Sequence, residues 1–156
     1  MAGIFLEPWA RFLVLLHAAA SVVLVGACTH HFVVALGYLR GVYKVKLGRI
    51  YAAIIVIAYP VTMLFGALAY PTYRYHVRAL YFDRHAVWAS NLFDIKENFA
   101  SIGLPLVIGA FALSRVMVPK EDRSLLLGYF IAVDLVAAIV WFNVVSGLLL
   151  TMERGV

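Results

Sequence analysis

Residues 12–39 read FLVLLHAAASVVLVGACTHHFVVALGYL, 28 consecutive positions without Lys, Arg, Asp or Glu. As a helix this run is about 42 Å long, and about 20 apolar residues already cross the roughly 30 Å hydrocarbon core of a bilayer. Arg11 before it and Ala18, Ala19 and Ala20 within it suggest a secretory signal, but the run is about twice the length of a signal's apolar region. It therefore reads as a retained transmembrane helix.

The same pattern recurs three times downstream. The first helix is predicted over residues 8–39, with Pro8 suited to a first turn and Trp9 to a membrane interface. A second is predicted over 50–73, where Arg74 ends an uncharged run and Pro60 should kink the middle. A third is predicted over 90–117, with Ser90 as cap and Pro119 beyond its end, and a fourth over 124–152. The whole chain of 156 residues is 65% apolar and 13% charged, with a mean hydropathy of +0.95. A water-soluble domain is about 45–50% apolar and about 25% charged, so that class is excluded. Four spans use up most of the apolar residues, leaving one domain, 1–156. The expected fold is an all-α integral membrane protein, a four-transmembrane-helix up-down-up-down bundle. Short connections place the first and fourth helices side by side.

The net charge of +5 suits basic loops against anionic headgroups. No basic run interleaved with aromatics points to nucleic acid. The first connection, 40–49, carries Arg40, Lys44, Lys46 and Arg49 and no acid. The second, 74–89, mixes Tyr75, Tyr81, Phe82 and Trp88 with Arg74, Arg78 and Arg84, which suits headgroup level or a continuation of helix two. The third, 118–123, is a short polar turn. Seven Lys and Arg flank the first and third connections and six lie on the opposite side. The short, purely basic first loop decides the expectation that both termini are non-cytoplasmic.

Because hydrocarbon penalises ionisable groups, those within the spans are the functional pointers. They are His17, His30 and His31 in helix one, Asp94, Lys96 and Glu97 near the start of helix three, and Asp134 in helix four. His17 and His31 are 14 residues apart, about 40° short of four turns and about 21 Å in rise, so they share a face at two depths. Ala20, Ser21, Leu24 and Cys28 lie between them, mostly small enough for a flat group or another helix to approach. This spacing resembles that of the membrane b-type cytochromes, in which paired histidines on one helix each hold a haem at a different depth. The resemblance covers that helix alone. It implies haem b held by His17 and either His31 or His30, with His17 and His31 as the iron ligands.

Each haem also needs a second histidine. Helices two to four have none in their apolar parts, and His76 and His85 in the second connection can serve only the site near His17. A homodimer about an axis normal to the membrane is one way to supply it. The competing reading has the histidines hydrogen-bonded to carboxylates or interfacial water.

Asp94 and Glu97 lie at a depth comparable with His17. They read either as a proton relay or ligand anchor there, or as first-turn carboxylates favoured by the helix dipole. Asp134 must be protonated or paired inside the bundle, with His30 or His31 as the expected partner. It serves either proton transfer and haem support or a helix-to-helix hydrogen bond. Tyr59, Pro60 and Thr62 are candidates to line a kinked cavity, Asn143 and Ser146 to bond across an interface, and Gly103, Gly109, Gly128 and Gly147 to allow close packing. The single cysteine, Cys28, permits no internal disulfide and reads as a packing residue.

No phosphate loop, HExxH, CxxC or serine nucleophile elbow is present, so soluble-type catalysis has no visible machinery. Three functions are compatible with these residues. The first is a haem-binding electron-transfer protein or respiratory subunit linked to quinone. The second is a cofactor-free accessory subunit of a larger membrane complex. The third is a proton-coupled carrier using His17, Glu97 and Asp134.

Overall fold

A computed structural model describes residues 3–155. Four long helices dominate: α1 (Ala10–Leu39), α2 (Val45–Tyr73), α3 (Val87–Val116) and α4 (Arg123–Glu153). All four are long and apolar enough to cross a membrane. α1 packs on α2 and α4, and α3 closes the square by packing on the same two. The chain is a multi-pass, all-α bundle of the expected kind, with α1 and α4 adjacent.

Both termini lie at one end of the bundle, here called the terminal end; the α1–α2 and α3–α4 connections lie at the other, basic end. Three core layers stack between them. Leu24, Cys28, Ile55, Tyr59, Val107, Val136 and Val140 fill the middle. Ala35, Tyr38, Ala110, Leu126, Tyr129 and Val133 fill the basic end. Val77, Phe82, Ala89, Phe93 and Leu150 fill the terminal end. Large apolar side chains also face outward, Val22, Ile57 and Leu148 among them. Helices that are apolar all round are what hydrocarbon outside and a packed core inside both require.

Helix boundaries depart from expectation where backbone geometry overrides composition. Pro8 lies within a short 3-10 turn, Glu7–Trp9, and α1 begins after it. α2 starts five residues before Ile50, at Val45, so the first loop is short. Beyond Tyr73 the chain continues without a break as a π-helix, Arg74–Phe82, and one helical turn, Asp83–His85. Residues 50–73 already span the hydrocarbon at 1.5 Å per residue, so this arginine- and aromatic-rich continuation lies at headgroup level. Ala86, with φ −146° and ψ 58°, interrupts the helix, and α3 starts immediately after it. Ser90 therefore does not cap α3. Its hydroxyl instead donates to Asp83 Oδ1 at 2.5 Å.

Glycines separate into two groups. Gly103 faces Tyr59, whose hydroxyl stands where a side chain would begin, and Gly48 is covered in the same way by Tyr38. Gly109, Gly128 and Gly147 face open space. Only Gly103 of the four expected close-packing glycines meets another helix.

Candidate functional site

His31 and Tyr129 form the most enclosed polar contact between helices. His31 Nε2 lies 2.6 Å from the Tyr129 hydroxyl, with the two side chains 3% and 1% exposed. A hydroxyl both donates and accepts, so it satisfies this nitrogen in either tautomer. Tyr129 stacks on Tyr38 at 6.1 Å between ring centres, and Tyr38 donates to the Lys44 carbonyl at 3.2 Å. Polar atoms thus descend from mid-bundle to the basic end. There Arg49 Nε donates to the Ser114 carbonyl at 3.0 Å, satisfying the C-terminal end of α3. Tyr129 carries no sequence signal that sets it apart, since an aromatic residue in an apolar run reads as core or interface.

His17 is half-buried nearer the terminal end. Its Nδ1 lies 2.9 Å from the Thr62 carbonyl of α2, and since a carbonyl only accepts, that nitrogen carries the proton and Nε2 has no partner among the described residues. The ring rests against Gly66, where a Cβ would lie 3.1 Å from Nδ1.

The carboxylates at the terminal end are engaged with cations. Asp94 accepts a bidentate pair from Arg78 at 2.7 and 2.8 Å. Glu97 accepts from Lys96 at 2.9 Å, and Lys96 also lies 5.2 Å from the Phe93 ring centre. His76 bonds Glu7 at 2.7 Å, and His85 packs on Tyr81. Arg78 was not singled out from the sequence. Nothing local separates it from the other arginines until the π-helix carries it back over α3.

Asp134 and His30 differ from the pairing expected. Asp134 is exposed on the outward side of α4, and no hydrogen-bond partner for it occurs among the described residues. His31 is taken by Tyr129, while exposed His30 donates from Nδ1 to the Gly26 carbonyl of its own helix at 2.7 Å and stacks on Tyr51. The reason is rotational: Val133, Val136 and Ala137 take the inward positions of α4, which turns Asp134 out. The expected cavity around Tyr59 is likewise filled. Tyr59 donates to the Ala100 carbonyl at 2.8 Å, Thr62 bonds Ala58 in its own helix, and Pro60 faces outward. Asn143 bonds the Ile139 carbonyl of its own helix, and Trp141 Nε1, donating to Thr29 Oγ1 at 3.0 Å, adds a second α1–α4 bond to that of His31 with Tyr129.

These positions bear unequally on haem ligation. His17 fits an axial ligand, because a Nδ1–H bonded to a backbone carbonyl is how ligating histidines are commonly oriented. His31 fits poorly, since its Nε2 is bonded to Tyr129 within a filled core layer.

The fold and these contacts define a four-span helical-bundle membrane protein whose polar side chains join its helices. Comparison of the chain with protein-family models, curated proteins and solved structures found no match.

Proposed function

We propose that this chain is an accessory subunit of a larger membrane assembly, with His17 and His31 serving to join helices. The observation that carries this reading is Asp134. It lies 11 residues into a 31-residue helix, about 6 Å from the helix midpoint, on a side that faces hydrocarbon in the isolated bundle. A carboxyl group there is costly without a partner, by about 2.5 kcal/mol or more, and a neighbouring membrane chain can supply one. The bonds His17 makes to Thr62 and His31 makes to Tyr129 support the structural role of those side chains.

The test is extraction in mild detergent from native membranes. The chain should migrate in a complex several times its 17.3 kDa mass, and Asp134→Leu should release it with its helix content unchanged. A wild-type chain that leaves native membranes at its own mass, unaccompanied, overturns the proposal.

A second reading rests on the Nε2 of His17, which suits one b haem shared with a partner chain that supplies the other ligand and exchanges electrons with quinone. The haem would supply reversible one-electron chemistry; the protein would orient the imidazole through Thr62 and leave room for it beside Gly66. This reading requires a red preparation whose reduced-minus-oxidised spectrum is lost in His17→Ala. A colourless assembly excludes it. The carrier reading draws no support from proximity, since Glu97 is bonded to Lys96 and Asp134 faces outward nearer the other end.

A further inference from the structure

We infer that a second copy of this chain packs along α1, about a two-fold axis normal to the membrane, so that Asp134 of each copy pairs with His30 of the other. The inference rests on the assembly reading above and names the partner.

The first observation is depth. His30 lies nine residues from the basic end of α1 and Asp134 eleven from the basic end of α4, levels that differ by about 3 Å. Core packing gives the same register independently, since Ala27 and Cys28 share a layer with Val136 and Ala137.

The second observation is direction. His30 stacks on Tyr51, 5.6 Å between ring centres, and so occupies the outer groove between α1 and α2. Asp134 is seven residues, about two turns, from Trp141 and shares its helical face. The Trp141 indole bonds Thr29 of α1, so that face borders the outer groove between α1 and α4. A two-fold axis beside α1 sets α2 of one copy opposite α4 of the other. The imidazole in one groove then meets the carboxyl group in the facing groove, and the same pair forms twice.

The third observation is the edge between the grooves. Leu15, Ala19, Val22 and Val33 are exposed there, and Gly26 has open space where a side chain would project. Ala19 and Gly26, two turns apart on this edge, are small enough to let two helix backbones approach, and Leu15, Val22 and Val33 would pack around them.

The chemistry is complementary. His30 has used Nδ1 on Gly26, and its Nε2 has no partner among the described residues. A carboxylic acid donating to neutral imidazole, or an imidazolium donating to carboxylate, leaves no net charge in the hydrocarbon. A different partner chain would need to satisfy only Asp134, whereas a second copy satisfies both outward groups, as an isologous contact requires.

The test uses the full chain with Cys28→Ser in lipid vesicles. One tagged version carries His30→Cys and a differently tagged one carries Asp134→Cys. Mild oxidation should produce a covalent heterodimer at least ten-fold above that formed when Asp134→Cys is replaced by Ile102→Cys, on α3. Since cysteine removes one of the two native pairs, the exchanged double variant His30→Asp with Asp134→His is measured by single-molecule photobleaching. It should restore a dimer fraction that either single change reduces several-fold. Preferential cross-linking through Ile102, or no restoration in the double variant, overturns the inference. If native membranes hold a complex with one copy of this chain that depends on Asp134, the dimer fails and the assembly reading stands. A solitary chain insensitive to Asp134 defeats both.

Discussion

The His31 imidazole and the Tyr129 hydroxyl, 98 positions apart in the chain, meet at 2.6 Å where α1 and α4 cross in the basic half of the bundle. Because both side chains are enclosed, removing one partner strands the other. Tyr129→Phe should destabilise the bundle by about 0.6–2 kcal/mol, the range for interhelical bonds in membranes and for buried groups left unpaired. Converting both to apolar residues, His31→Leu with Tyr129→Phe, should cost less than the sum of the single changes. Reversible unfolding in micelles measures all three.

The two kinds of glycine make a contrast of opposite sign. A Cβ at Gly103 runs into the Tyr59 hydroxyl, which is itself bonded to Ala100. Gly103→Ala should cost about 1–3 kcal/mol, with part recovered on adding Tyr59→Phe. Gly128→Ala meets only open space and should stabilise α4 by up to about 1 kcal/mol. Thermal denaturation of the two variants in one detergent decides the sign of each.

Arg78 and Asp94 clamp the π-helix to the first turns of α3. Asp94 is half-exposed at headgroup level, so a double-mutant cycle of Arg78→Ala and Asp94→Ala should return a coupling of about 0.3–1 kcal/mol. In 1 M salt, where screening reaches about 3 Å, most of it should disappear. A coupling unchanged by salt contradicts the exposed placement.

Sidedness is testable with single cysteines. Cys28 is 1% exposed, so the wild-type chain should not react with a membrane-impermeant maleimide. In a Cys28→Ser background, Arg154→Cys should label on intact cells, and Lys46→Cys only after the membrane is opened. The reverse pattern overturns the expectation that both termini are non-cytoplasmic.

The sequence allows some of this site to be read and not the rest. Residues 12–39 announce a span because uncharged length is a local property that hydrocarbon selects directly. The same uniformity conceals direction. With α4 apolar on every side, no polar stripe marks which way Asp134 turns, and the expectation that it faces His30 or His31 within one bundle followed from the cost of a lone carboxylate. The cost of a lone carboxylate is real, but it does not specify which way the helix turns Asp134. Arg78 and Tyr129 were passed over for a related reason. Their partners lie 16 and 98 residues away, and no local pattern encodes either distance.

Composition and run length alone determined that this is a four-span helical membrane protein, because each crossing must satisfy its own backbone and remain uncharged over about 20 residues. Only the packed bundle decided which polar groups face inward. That choice depends on how each helix is rotated about its axis, and rotation is set by the fit of Val133, Val136 and Ala137 against α1 and α3. A fraction of a turn there carries Tyr129 in to His31 and Asp134 out to the lipid.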